Sequence, residues 1–156
     1  MKSPVCTLCA RLEVRVRVFN ERVLPGDYPF VLVDALFIKS RDDERVARRA
    51  ALILSGVRSD GYRELLGVQI GDSESFVTRD KTFRWLKAYG LKGVLFVVSD
   101  EHSGLTQAIA KQFQGATRQR CQVHLMRNVL AQSPVKLRTK VAARCAAGPA
   151  VIRATS

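Results

Sequence analysis

Apolar and polar positions divide the chain into short elements. From Tyr28 to Ile38 nearly every side chain is apolar, the pattern of a strand buried on both faces, and Pro25-Gly26-Asp27 marks a turn ahead of it. Glu44 to Val57 and Tyr62 to Ile70 predict two further strands. Ser59-Asp60-Gly61 joins them, where Asp-Gly accommodates the positive φ of a tight hairpin. Ser73 to Ser75 offers cap chemistry for a helix running through Phe76, Phe83, Leu86 and Tyr89 and stopping at Gly90. Val94 to Val98 reads as a short buried strand, and Leu105, Ala108, Ile109 and Phe113 fall at helical spacing before Gly115. Ala116 to Arg120 is a fifth strand, and Leu125, Met126, Val129 and Leu130 form another amphipathic helix ended by Pro134. At the N-terminus Leu12, Val14, Val16 and Val18 alternate with charged residues at a strand period, but no turn leads to a partner, and a short helix fits equally well.

The order is three strands, helix, strand, helix, strand, helix. That predicts the α/β class: a mixed five-stranded sheet flanked by helices, in the RNase H-like arrangement. At 156 residues there is room for one such core. We place it at 28–132, with a leader at 1–27 and a basic, poorly ordered tail at 133–156, whose last dozen residues are small and contain Gly148-Pro149. There is no internal repeat. Although 47% of residues are hydrophobic, no run approaches the roughly 18 apolar residues of a spanning helix, and no signal peptide is evident, so a soluble cytoplasmic protein without a membrane partner is expected.

Charge adds a partner class. The net charge of +12 favours polyanions, nucleic acid before an anionic membrane surface. All 14 acidic residues lie at or before Glu101; beyond it come nine Lys and Arg and no acid. Such a segment is compatible with a solvated face, a disordered tail or a phosphate-binding surface. The four cysteines, without a secretory signal, read as reduced thiols. By ligand type Cys6 and Cys9 with Cys121 and His124 would make a structural zinc site. The two pairs are over a hundred residues apart and the first lacks a knuckle glycine, which favours ordinary packing of Cys6 and Cys9.

Two aspartates stand out. Asp34 interrupts the apolar run Phe30 to Ile38, where a buried carboxylate is costly unless an arginine, water or a metal compensates it. Asp100 ends the strand Val94 to Ser99 just before a helix, where α/β sheets place ligands, although N-cap duty would also explain it. If the two strands are adjacent and parallel, the pair could hold divalent cations, since carboxylate oxygens suit Mg²⁺ and Mn²⁺.

Four segments carry a family resemblance: Phe30 to Ile38; Gly56-Val57-Arg58-Ser59-Asp60-Gly61-Tyr62-Arg63-Glu64-Leu65-Leu66-Gly67; Leu91-Lys92-Gly93-Val94 running into Val98-Ser99-Asp100; and Arg120-Cys121-Gln122-Val123-His124-Leu125-Met126-Arg127-Asn128. In this order and spacing, from about Tyr28 to Leu130, the chain resembles the catalytic core of Mutator-type transposases of bacterial insertion sequences. The resemblance implies metal-dependent cleavage and strand transfer of element ends, with Asp34 and Asp100 as catalytic Mg²⁺ or Mn²⁺ ligands. It places Cys121 and His124 near the active site, with His102 beside Asp100 as a supporting group or a solvated histidine at a helix start. Arg118, Arg120, Arg127, Lys136, Arg138 and Lys140 are the expected DNA contacts, and the partners implied are DNA and a homo-oligomer or a full-length sister transposase.

The family's third catalytic residue is a glutamate well beyond the Cys-x-x-His motif, and no acid follows Glu101 here. Glu64, Glu74 and Glu101 match it by type but not by position, so none is assigned. The family's N-terminal DNA-binding region is not recognised, and beyond about Val141 the resemblance fades. A truncated copy, incomplete as an enzyme, is therefore expected. A catalytically inactive nucleic-acid-binding remnant is the alternative, and a nuclease that hydrolyses without joining is a third.

Overall fold

A computed structural model of the chain describes the backbone of residues 4–42, 45–71 and 76–147 and the side chains of 10–39, 49–70 and 76–146. The chain forms two compact units, Met1–Gln119 and Arg120–Ser156.

The first unit is built on the sheet. Strands β1 (Phe30–Asp42), β2 (Arg45–Val57) and β3 (Arg63–Gly71) form an antiparallel meander, and β4 (Phe96–Ser99) pairs parallel to β1. With β5 (Thr117–Arg120) the order is β3-β2-β1-β4-β5, the mixed five-stranded sheet expected. The β2–β3 connection closes through Arg58 N–H to Tyr62 C=O at 2.9 Å, with Gly61 at φ 85° and the Tyr62 N–H donating to Asp60 Oδ1. β1 runs past the apolar stretch because its ladder with β2 continues to Asp42 opposite Arg45. Nor is it buried on both faces. Among its described side chains only Val31 and Val33 are buried, while Leu36, Phe37 and Ile38 are 38–51% exposed.

The N-terminal alternation resolves as helix α1 (Pro4–Asn20). A period of two turns through about 200° per step on a helix, so Leu12, Val14, Val16 and Val18 cannot share one face, and all four are exposed. Asn20 explains why no strand forms here. Its side-chain amide donates to Val68 C=O at 3.0 Å and accepts from Val68 N–H at 3.1 Å, occupying a pairing position on β3 that a strand would use. Within β3 a bulge between Leu54 opposite Gly67 and Ser55 opposite Leu65 adds one residue, Leu66, and sends it fully into the core.

Helices α2 (Phe76–Ala88) and α3 (Ser103–Gln112) pack with the sheet around Tyr28, Leu52, Leu54, Phe83, Val97 and Leu105. The expected stop at Gly90 takes a specific form, in which Leu91 N–H bonds Leu86 C=O at 3.0 Å, Gly90 N–H bonds Lys87 C=O at 3.1 Å, and Gly90 sits at φ 107°. The cap expected at Ser73 to Ser75 lies outside the described residues.

Asp80 joins α2 to α3. It is buried, accepts from Gln112 Nε2 at 2.6 Å, pairs with Arg84, and lies 3.5 Å from Lys111 Nζ. The Gln112 hydrogen bond foremost, then Arg84 and Lys111, hold its carboxyl below the usual range against the opposing effect of burial. A depressed folded-state pKa contributes stability that is present above the unfolded value of about 3.9 and lost as pH falls through the folded one. Wild type is therefore expected to melt above Asp80→Asn at neutral pH, with the gap closing below about pH 4; a gap that stays constant to pH 2 would show that the charge contributes nothing.

The second unit holds α4 (Gln122–Gln132), a 3-10 turn (Val135–Leu137) and α5 (Arg138–Ala147). Residues 135–147, expected as part of a poorly ordered tail, are helical. Pro134 lies just outside the turn, Leu137 N–H bonds Pro134 C=O, and the Ala, Lys and Arg content of α5 has high intrinsic helix propensity. No helix among the described residues is long and apolar enough to cross a membrane.

Candidate active site

The β1–β4 ladder runs from Phe30 opposite Phe96 to Val33 opposite Ser99, and the next residue on each chain is Asp34 and Asp100. Neighbouring strands lie about 4.8 Å apart, so the residues before the two aspartates, Val33 and Ser99, are set side by side at the carboxyl end of the parallel ladder. Val31, Val33, Val97 and Ser99 face the core. The opposite face carries the stacked rings of Phe30 and Phe96, 5.4 Å between centroids, and by alternation Asp34 belongs to that face. Asp34 is half-buried opposite Ile53 of β2, with its Oδ1 shielded from solvent.

Asp100 is not the cap of α3. His102 occupies that position, exposed, with its carbonyl accepting from both Thr106 N–H and Thr106 Oγ1 at 3.0 Å. Asp100 instead uses Oδ1 to accept the Glu101 N–H at 2.7 Å, and Oδ2 accepts no hydrogen bond among the described residues. The carboxylate is thus held at one oxygen and open at the other. Two carboxylates from adjacent strands match the hard oxygen donors of Mg²⁺ and Mn²⁺. They remain a partial set, since no group of three or more His, Cys, Asp or Glu among the described residues could hold a metal ion.

The glutamates that resemble the missing third carboxylate by type have other attachments. Glu64 lies on β3, separated from β1 by β2, where it accepts from Tyr28 Oη at 2.6 Å and pairs with Arg22 at 3.3 Å. Burial first, and this hydrogen bond second, push the Tyr28 hydroxyl well above its ordinary pKa. Glu101 lies 3.5 Å from Arg118 Nη2, and Glu74 is outside the described residues.

Arg118 packs against the end of β4. Expected as a DNA contact, it turns back from β5 onto the end of β4, with its side chain 23% exposed. Its Nε donates to Ser99 Oγ and its Nη2 to the Asp100 carbonyl, both at 3.3 Å. The fully buried Ser99 hydroxyl donates to the same carbonyl at 3.0 Å. A hydroxyl in an otherwise apolar strand was the available sequence signal for this contact.

In the second unit Cys121 is the N-cap of α4 and a free thiol, and His124 lies in the first turn, half-buried. Arg120 is half-buried, whereas Arg127, Lys136, Arg138 and Lys140 are exposed, with Arg138 Nε bonding Ser133 C=O at 3.2 Å. The side chains of Cys6 and Cys9, and with them the zinc reading, lie outside the described residues; their backbone belongs to α1.

Strand order β3-β2-β1-β4-β5, with an aspartate following the last β1–β4 pair on each chain segment, is that of an RNase H-like α/β protein. A family model, "Transposase, Mutator family", matches residues 1–146, and the chain belongs to that family. The match takes in the N-terminal helix and α5 to Ala146, and so extends beyond the 28–130 stretch that carried the resemblance.

The chain is 40% identical over 136 residues to the transposase for insertion sequence element IS256 in transposon Tn4001 of Staphylococcus aureus, covering 86% of this chain and 35% of that protein. It is 40% identical over 134 residues to the transposase for insertion sequence element IS1081 of Mycobacterium tuberculosis, covering 85% and 32%. The chain thus spans about a third of the length of these curated relatives. A solved structure of the HTLV-2 integrase catalytic core domain in complex with magnesium aligns with a TM-score of 0.38 at 12% identity, covering 75% of this chain and 86% of that one.

Proposed function

We propose that this chain carries two of the metal-binding carboxylates of an Asp-Asp-Glu transposase core that cleaves insertion-sequence ends and joins them to target DNA. The carrying observation is the parallel β1–β4 ladder, after whose last pair, Val33 opposite Ser99, Asp34 and Asp100 follow on their respective chain segments. Asp34 and Asp100 are the residues that would hold the divalent cations, Asp100 with its Oδ1 already accepting the Glu101 N–H. Divalent cations there would supply Lewis acidity toward a water or DNA 3′-hydroxyl nucleophile and toward the leaving 3′-oxygen. The β1–β4 ladder fixes the backbone up to Val33 and Ser99, the residues immediately before the two aspartates. No acid follows Glu101 in these 156 residues, so the third carboxylate lies outside them, and by themselves they do not complete strand transfer. Arg120, Arg127, Lys136, Arg138 and Lys140 contact phosphates, and Cys121, His124 and His102 support the site as the family motif implies.

Calorimetric titration of the folded chain with Mn²⁺ tests this reading. Saturable heat in wild type that disappears in Asp34→Asn is the expected result, and no heat from a folded wild type would overturn it. A second reading, a nucleic-acid-binding module without chemistry, is favoured by the acid-free basic stretch beyond Glu101. It predicts sequence-tolerant DNA binding whose affinity falls steeply with salt, in a chain that takes up no divalent ion.

A further inference from the structure

We propose that Arg118 is a positioning residue for Asp100, setting the carboxylate through the backbone instead of contacting DNA phosphate. β4 is only four residues long, and its ladder with β1 ends at Ser99, so the strand pairing does not itself hold Asp100. Arg118 supplies what the ladder does not. Its guanidinium reaches three successive residues: the Ser99 hydroxyl, the Asp100 carbonyl and, at 3.5 Å, the Glu101 carboxylate.

Ser99 Oγ adds a second donor to the Asp100 carbonyl, so the peptide leaving Asp100 is fixed from two directions. That same peptide contributes the Glu101 N–H that holds Asp100 Oδ1 at 2.7 Å. Fixing the carbonyl therefore fixes the N–H, and the N–H orients the carboxylate. Drawing the Glu101 side chain toward Arg118 also keeps a second negative charge directed to the guanidinium. A lysine keeps the charge but lacks the planar fork needed to bond a hydroxyl and a carbonyl together.

The inference rests on the metal reading of Asp34 and Asp100, and the experiment separates the two. Arg118→Lys and Arg118→Ala are compared with wild type by melting temperature, by Mn²⁺ calorimetry, by the salt dependence of binding to duplex DNA, and by exchange of the Glu101 amide in NMR. Groups that orient a metal ligand typically contribute 10–100-fold in affinity, so folded variants of both kinds are expected to bind Mn²⁺ at least ~10-fold more weakly. The slope of log affinity against log salt should be unchanged in Arg118→Ala, and the Glu101 amide should exchange faster in both variants.

Mn²⁺ affinity within twofold of wild type in both folded variants would overturn the proposal. So would a salt slope that falls by about one unit in Arg118→Ala, the mark of a lost phosphate contact. If wild type itself binds no Mn²⁺, the metal reading fails and the exchange measurement decides the positioning claim, with unchanged Glu101 protection overturning it. Should Arg118→Ala not fold, Arg118→Lys and Ser99→Ala carry the same comparison.

Discussion

At a free Mn²⁺ concentration 100 times its dissociation constant, wild-type chain is expected to gain about 2.7 kcal/mol of unfolding free energy, and Asp34→Asn and Asp100→Asn to gain none. By linkage, an ion that binds the folded state alone stabilises it in proportion to the logarithm of its excess over the dissociation constant. Asparagine keeps the volume and an acceptor oxygen while removing the charge, so each variant should fold as wild type does without metal. Because Asp34 and Asp100 act on one site from adjacent strands, the double variant should lose no more than either single one. Partial losses that add would mean two independent weak sites and would refute the shared one. The measurement is thermal or urea unfolding with and without Mn²⁺, using a chelator to define the metal-free reference.

Phe83→Ala is expected to cost about 3–5 kcal/mol, a large part of the 5–15 kcal/mol that stabilises a domain. Phe83 is fully buried on α2 and meets Phe113, just past α3, edge-on at 5.1 Å and 71°. Truncation therefore removes buried apolar area, leaves a cavity and forfeits an aromatic pair. The same helix provides its own control in Val77, 56% exposed, where truncation should stay within about 0.5 kcal/mol. Equal urea midpoints for Phe83→Ala and Val77→Ala would show that α2 does not pack onto the core as described. Metal binding by any folded fraction of Phe83→Ala should persist, because by strand alternation Asp34 lies on the face of the sheet opposite the core that α2 and α3 cover.

Much of this was legible in the chain, for identifiable reasons. The hairpin at Asp60-Gly61, the stop at Gly90 and the spacing of Leu105, Ala108 and Ile109 are local signals, each set by backbone geometry within a few residues. Asp34 was legible because a carboxylate in an apolar run is rare, and Asp100 because it ends a strand before a helix. Less local features were not. The alternation from Leu12 to Val18 fits a strand or a short helix equally, and the helix ends at Asn20, which bonds both backbone groups of Val68, a contact 48 residues away in sequence. Leu66 enters the core only because β3 bulges against β2.

What the sequence by itself determined is the order and type of the elements from Phe30 to Leu130, the two aspartates, and the basic, acid-free character of everything after Glu101. Those properties depend on periodicity, turn chemistry and charge, which are written along the chain. Only the tertiary structure decided that β1 and β4 pair in parallel up to Val33 and Ser99, that His102 and not Asp100 caps α3, and that Arg118 bonds the end of β4. Each of these depends on which strands become neighbours. Parallel pairing of β1 with β4 joins residues 66 positions apart, Val33 with Ser99 being one such pair, and no local preference encodes which of the available edges a four-residue strand will take.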